Sequence, residues 1–354
     1  MSVITPQDRA ISHWLLICLF LIFFMVVLGG VTRLTGSGLS MVNWQIQGSI
    51  PPITSAQWDE EFSFYQQSPE FQKINRDMNV DDFKSIFWFE YSHRMLGRVI
   101  GLVFFVPFVY FWWRKKIKPG LTPKLLMMFV LGGFQGLLGW YMVKSGLVNN
   151  PHVSQYRLTA HLVSAIVIFG FILWTWLDLR YPKSSQPSQD PQLNRWCQLS
   201  IGLLVLVMLT TVSGGFVAGL KAGLIFNTFP LMGGQWIPEG VLAISPWYMN
   251  LFENKVTVQF VHRVLAIGTA VLLFGWFIKG RSLSVSHRFN CQRFDYQRLT
   301  RSFKWIGMMV IIQVSLGLCT LLFHVPIPIA AMHQAGALLL FSAMLMNVHA
   351  LRSR

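Results

Sequence analysis

Glu90-Tyr91-Ser92-His93-Arg94 stands at the head of a long apolar run, and an altered copy, Gln259-Phe260-Val261-His262-Arg263, heads another. After each copy, a second histidine opens a further apolar segment at nearly the same spacing. These second histidines are His161 and His333. Because the pair is duplicated on separate apolar segments, the sequence predicts two sites that each hold a haem-sized ligand between two imidazoles.

The composition indicates a membrane protein. Of 354 residues, 53% are hydrophobic and only 12% are charged, and several apolar runs are long enough to cross a bilayer. We expect an all-α polytopic membrane protein with eight transmembrane helices, arranged as two tandem pseudo-symmetric four-helix bundles. The expected spans cover about residues 13–32, 92–113, 125–143, 158–178, 199–218, 257–278, 305–323 and 329–350.

The repeat predicts the domain organisation. Residues 1–183 form an N-terminal four-helix half with a long outer loop at 34–90, which is rich in aromatic residues and is expected to be a partly helical cap. A polar, proline-containing cytoplasmic linker covers 184–198, and a C-terminal four-helix half covers 199–354.

Small and polar residues repeat as well. Gly29-Gly30 recurs as Gly214-Gly215, and Gln135 with Gly139 recurs as Gln313 with Gly317. Glycines at these places let helices approach closely or let a flat macrocycle lie against the backbone.

The net charge of +15 is a signal of membrane topology and not of nucleic-acid binding. Lysine and arginine concentrate in loops on one side, which the positive-inside rule places in the cytoplasm together with both termini. Anionic membrane lipids are the expected partners of these charges. The N-terminus shows no cleavage site or import presequence, so we expect a bacterial inner membrane.

Other metal centres agree less well with the pattern. Glu90-x-x-His93 is half of a di-iron carboxylate motif, but no span contains a second glutamate. No pair of histidines lies close enough in sequence for a zinc hydrolase motif. Arg94 and Arg263 each follow a histidine and are candidate partners for haem propionates, with Arg98 near the same rim; arginines that extend to the interface are the alternative.

Several stretches along the chain match a known pattern: Gly30–Met41, Trp44 with Gly48 and Pro51-Pro52, Glu90–Arg98, Gln135–Trp140, His161, Phe229–Met232, His262-Arg263 and His333-Gln334. In these stretches there is a resemblance to the haem A synthase family, in the branch shared by proteobacteria and mitochondria. It implies oxidation of a ring methyl of haem O to a formyl group by successive hydroxylations, giving haem A for cytochrome oxidase. Some relatives carry a cysteine pair in the first outer loop, which this sequence lacks.

The same resemblance assigns roles to residues. It implies that His262 and His333 hold haem b, that His93 and His161 receive haem O, and that Glu90 is catalytic. The residues themselves point to the same division, because a carboxyl one turn from His93 can exchange protons and Gln259 cannot. An unidentified electron donor, haem O synthase and cytochrome oxidase assembly factors are the expected partners. The alternative is a di-haem cytochrome b-type protein that transfers electrons in the membrane.

Overall fold

The computed structural model describes residues 6–42, 50–146, 151–181, 191–286 and 296–352. Within these ranges, eight helices are long and apolar enough to cross a membrane, which confirms the predicted multi-pass helical class. They are α1 (Pro6–Leu34), α4 (Val80–Trp113), α5 (Thr122–Gly146), α6 (Gln155–Arg180), α7 (Pro191–Gly219), α9 (Lys255–Ser286), α10 (Tyr296–Leu322) and α11 (Ile327–Arg352).

Short helices precede two of the long ones. They are α2 (Ser55–Gln66) and α3 (Pro69–Lys73), before α4, and α8 (Asn250–Glu253), before α9. The side chain of Asn79 accepts hydrogen bonds from main-chain N–H groups of the first turn of α4, and Asp82 completes a capping box. The helix therefore begins before the predicted boundary near residue 92, and the end of the predicted loop 34–90 is helical. Residues 80–91 mix apolar side chains with Asp81, Asp82, Lys84 and Glu90, so a hydropathy average did not include these first turns in the span.

The predicted linker at 184–198 is also shorter than expected. Helix α7 begins at Pro191, so residues 191–198 are helical. Proline is well tolerated in the first turn of a helix because its missing N–H would have no helical partner there. Residues 182–190 lie outside the described part of the chain.

The chain forms two compact units. One contains residues 20–165, and the other contains residues 1–19 with 166–354. We call them the 20–165 unit and the 166–354 unit. Each predicted histidine pair lies within a single unit: His93 and His161 in the first, His262 and His333 in the second.

An aromatic cluster forms the core of the α2–α4 region in the 20–165 unit. Trp58 and Tyr65 of α2 pack against Phe83 and Phe87 of α4, and all four are buried. The rings of Tyr65 and Phe83 stack with centroids 5.0 Å apart. This confirms that the aromatic segment after α1 is partly helical. Trp44 and Gly48, which belong to the same predicted segment, lie outside the described residues.

A buried asparagine joins four helices of the 166–354 unit. The Oδ1 atom of Asn347, on α11, accepts hydrogen bonds from Ser200 of α7 at 2.7 Å and from Trp276 of α9 at 3.2 Å. Its Nδ2 atom donates to Ser302 of α10 at 2.9 Å. Because a buried amide needs all of these partners, the network specifies how the four helices pack.

Candidate haem-binding sites

Each of the four predicted histidines packs against a glycine on a neighbouring helix. A Cβ atom added at any of these glycines would lie 2.9–3.1 Å from the nearest imidazole atom, which is closer than ordinary contact. Glycine is therefore the residue that lets each ring approach the facing helix. The contacts are Gly29 of α1 with His93 of α4, Gly139 of α5 with His161 of α6, Gly214 of α7 with His262 of α9, and Gly317 of α10 with His333 of α11.

The imidazoles of each pair lie near each other. His93 interacts electrostatically with His161, and His262 interacts in the same way with His333. The structure thus brings together the two members of each pair that the spacing suggested. Among the described residues, no group of three or more His, Cys, Asp and Glu side chains is arranged to hold a metal ion.

A glutamine holds one histidine of each pair by the same contacts. Nε2 of Gln135 lies 3.2 Å from Nδ1 of His161 and donates to its main-chain oxygen at 2.9 Å. Gln313 makes the same two contacts with His333, at 3.2 Å and 3.0 Å. Sequence reasoning noted the repeat of these glutamines without assigning them a role. The available signal was their position four residues before Gly139 and Gly317, which places them on the helix face towards the histidine.

The imidazole of His262 also has a side-chain hydrogen-bond partner, which is a serine. Ser213 of α7 lies directly before Gly214, and its Oγ atom is 2.8 Å from Nδ1 of His262. The same hydroxyl donates to the main-chain oxygen of Thr210 at 2.7 Å. A hydroxyl has a single proton, so Ser213 accepts from an Nδ1–H group of His262. That tautomer leaves Nε2 of His262 with a free lone pair for a metal.

Glu90 is buried, with 2% of its surface exposed, and its carboxylate has several partners. Oε2 accepts hydrogen bonds from the hydroxyl of Ser40 at 2.7 Å and from the main-chain N–H of Met41 at 2.8 Å. Oε1 accepts from Nε of Arg94 at 3.0 Å, and Arg94 also donates to the main-chain oxygen of Met41 at 3.3 Å. The acid beside His93 therefore fastens the segment after α1 to α4.

The corresponding residues of the other unit hold the segment after α7. Nε2 of Gln259 donates to the main-chain oxygen of Phe226 at 2.9 Å. Arg263 donates to the same oxygen at 2.6 Å and to that of Thr228 at 2.7 Å. Both predicted propionate partners, Arg94 and Arg263, thus already serve as anchors of a neighbouring segment.

Unpaired donors nevertheless remain on these arginines. Nη1 of Arg94 and Nε of Arg263 are buried and have no hydrogen-bond partner among the described residues. Unpaired buried donors are rare in native proteins and call for an explanation such as a ligand. Arg98 lies one turn beyond Arg94 on α4 and is partly buried.

Comparison with known proteins connects these sites to a family. Residues 12–345 match the COX15-CtaA family, described as "Cytochrome oxidase assembly protein". The chain is 49% identical over 348 residues to "Heme A synthase" of Nitrosospira multiformis, an alignment that covers 98% of this chain and 94% of that protein. It is 44% identical over 347 residues to "Heme A synthase" of Parvibaculum lavamentivorans, an alignment that covers 98% of this chain and 95% of that protein. It is also 44% identical over 352 residues to "Heme A synthase COX15" of Homo sapiens, where the alignment covers 98% of this chain and 83% of the human protein. These matches confirm the resemblance, and the chain belongs to the COX15-CtaA family.

Proposed function

We propose that this protein is a haem A synthase, which oxidises a ring methyl group of haem O to the formyl group of haem A. The observation that carries the proposal is nearly full-length similarity to proteins named for this activity, at 44–49% identity. The histidine pairs support it, because the reaction needs a place for a tetrapyrrole substrate inside a membrane protein. The product, haem A, is a prosthetic group of cytochrome oxidase, in agreement with the family description.

We assign the two histidine pairs to different haems. His93 and His161 receive the substrate, haem O, and His262 and His333 hold a resident haem b. The assignment rests on the residue three positions before the first histidine of each pair, Glu90 in one case and Gln259 in the other. Of the two, only the carboxylate can take up a proton, so the chemical step belongs to the 20–165 unit.

The residues of the 166–354 unit are suitable for haem b. The two imidazoles lie near each other, glycines give both rings room, and Ser213 leaves Nε2 of His262 free. The unpaired Nε–H of Arg263 is a donor that a propionate can accept from. Haem b at this site would supply one-electron transfer to the reaction.

In the 20–165 unit, Glu90 has two tasks. As a carboxylate it accepts hydrogen bonds from Ser40 and Met41, and these bonds hold the segment after α1 against α4. As the acid one turn from His93, it is also the group that accepts a proton released when the substrate is oxidised. Arg94 keeps the carboxylate in place by an ion pair, so the acceptor is oriented before the substrate arrives.

We place the protein in the bacterial inner membrane, with both termini in the cytoplasm and the haem sites near the outer face. The lysine- and arginine-rich segments at 114–124 and 279–304 support this orientation. Anionic lipids at the inner surface are the natural counter-ions of these segments. The proposed activity also requires an electron donor, and haem O synthase and cytochrome oxidase assembly factors are the proteins that would supply substrate and take up product.

Expression together with haem O synthase tests the activity. A haem A synthase converts part of the haem O pool to haem A, which solvent extraction and chromatography detect, whereas a di-haem electron carrier leaves haem O unchanged. His93→Met should abolish haem A and leave haem b in the purified protein. His262→Met should remove haem b. Wild-type protein that folds, binds haem and leaves haem O unconverted would contradict the proposal.

A further inference from the structure

The four imidazole rings differ in their side-chain contacts. The Nδ1 atom of His262 faces the hydroxyl of Ser213, which accepts from it. The Nδ1 atoms of His161 and His333 each face the amide nitrogen of a glutamine, which is a donor and fixes the position of the ring. For His93, no hydrogen bond to the ring exists among the described residues. A partner that accepts from the second ring nitrogen, as Ser213 does, fixes the orientation and tautomer of a ligating imidazole, and its loss usually costs about 10–100-fold in metal affinity.

The cause is one residue in the repeat. Gly29 and Gly214 are equivalent, since each lies under the first histidine of its pair. The residue before Gly214 is Ser213, and the residue before Gly29 is Leu28. A leucine side chain can neither donate nor accept a hydrogen bond, so His93 lacks the partner that His262 has.

The orientation of the rings agrees with this difference. At Gly139, Gly214 and Gly317, the imidazole atom nearest to an added Cβ is Cε1. At Gly29, the nearest atom is instead Nε2 of His93, at 3.0 Å, followed by Cδ2 at 3.5 Å. The ring of His93 therefore turns a different edge to its glycine than the other three rings do.

We propose that Ser213 is a positioning residue that makes His262 a permanent iron ligand, and that Leu28 leaves His93 as the exchangeable ligand of the four. The inference rests on the proposed assignment of haem b to His262 and His333 and of haem O to His93 and His161. A resident cofactor has to stay bound through many turnovers, so both of its ligands are fixed. A substrate has to enter and its product has to leave, so one ligand of that site is free to turn.

Two variants move the hydroxyl that faces the first histidine from the cofactor site to the substrate site. Ser213→Ala removes the hydroxyl from the cofactor site, and Leu28→Ser introduces one at the equivalent place in the substrate site. Ser213→Thr keeps the hydroxyl and serves as the conservative rescue. Thr211→Val is the matched control, because the hydroxyl of Thr211 is on the same helix and, among the residues the structure describes, bonds only to the main-chain oxygen of Val207.

The first measurement uses full-length protein from a host without haem O synthase, so that haem b is the haem present. We expect Ser213→Ala to transfer haem b to excess apomyoglobin about 10–100-fold faster than wild type. The low-spin electron paramagnetic resonance signal and the midpoint potential should shift in the same variant. Ser213→Thr and Thr211→Val should stay close to wild type. A Ser213→Ala protein with wild-type loss rate, spectrum and potential would overturn the inference.

The second measurement is independent of whether Ser213→Ala folds. In a host with haem O synthase, Leu28→Ser should retain haem O and haem A through detergent washing, with loss about 10–100-fold slower than in wild type. Equal loss rates would overturn the assignment of His93 as the exchangeable ligand. If wild-type protein contains no haem b, the assignment of haem b to His262 and His333 is wrong. If wild type contains haem b and Ser213→Ala loses it at the wild-type rate, only the inference about Ser213 is wrong.

Discussion

Arg94 and Glu90 form a buried ion pair across one turn of α4, with Nη2 of the guanidinium 2.5 Å from Oε1 of the carboxylate. The same guanidinium donates to the main-chain oxygen of Met41. In the other unit, Arg263 donates to two main-chain oxygens and Gln259 to one. The arginine after each first histidine therefore ties a neighbouring segment to the ligand helix, and its remaining N–H groups are the ones available to a propionate.

Arg94→Ala should destabilise the protein more than Arg263→Ala. Removal of Arg94 leaves the charge of Glu90 buried without its ion-pair partner, which costs about 3–5 kcal/mol. Removal of Arg263 leaves carbonyl oxygens, one of which Gln259 still bonds, and should cost about 1–3 kcal/mol. Thermal unfolding of both variants in detergent measures the difference. Equal unfolding temperatures would show that the ion pair is not important for stability.

Glu90→Gln separates the anchoring task of this residue from its chemical one. A glutamine can still accept a hydrogen bond from Arg94 but cannot take up a proton. We expect folded protein with haem b bound and with haem A formation reduced by about 10²–10⁴-fold, the usual contribution of a positioned acid or base. Haem extraction and chromatography give both quantities from one sample. Unchanged haem A formation would remove Glu90 from the mechanism and leave it as an anchor.

Gly139→Ala should impair the substrate site, because its Cβ would lie 2.9 Å from Cε1 of His161. The ring has to move, so retention of haem O and formation of haem A should both fall at least tenfold. Gly136→Ala is the matched control on the same helix, since nothing lies within 4 Å of an added Cβ there. That variant should keep activity and gain a little stability from the higher helix propensity of alanine. Equal effects of the two variants would exclude the Gly139–His161 contact as the cause.

Gln313→Leu should affect haem affinity and stability differently. Replacing the amide by an apolar side chain removes both contacts of Nε2 with His333 but also removes Oε1, which is buried without a partner among the described residues, so the stability of the haem-free protein should fall by no more than about 1–3 kcal/mol. Loss of the contact with Nδ1 of His333 should lower haem b affinity about 10–100-fold. Haem titration and thermal unfolding of the haem-free protein measure the two effects. Thr320→Val on the same helix is the control, because the Thr320 hydroxyl donates to the Leu316 carbonyl and to no other group in the described ranges.

The α2–α4 region should lose stability at alkaline pH, because the buried hydroxyl of Tyr65 then ionises. Burial, followed by the nearby charge of Glu70, raises the pKa of the Tyr65 hydroxyl above its ordinary value. The neutral form is therefore favoured in the folded state, and its contribution to stability is complete below a pH of about 10 and is lost as the pH rises beyond that. Circular dichroism and phenolate absorbance should show an alkaline transition that Tyr65→Phe lacks. The exposed Tyr248 is the control, and Tyr248→Phe should keep the transition.

Several features follow from local sequence alone. Long apolar runs predict membrane helices because the hydrocarbon core has a fixed thickness, and all eight appear in the structure. The duplicated histidines are recognisable because ionisable groups inside apolar runs are rare. The helix boundaries were predicted less well. At α4, the capping box of Asn79 and Asp82 decides the start, and a hydropathy average over a span does not resolve it.

The amino-acid sequence by itself determined that the described chain has eight helices apolar enough to cross a membrane, that four histidines recur as two pairs at similar spacing, and which family the chain belongs to. Periodicity, apolar length and repeated motifs are properties of the chain. The tertiary structure decided what the residues around the histidines do. It shows that Gln135, Gln313 and Ser213 contact the imidazoles of His161, His333 and His262, whereas the ring of His93 has no hydrogen bond within the described part of the chain. These relations depend on which side chains face each other across neighbouring helices, and helix rotation and close approach are set by packing of the whole unit.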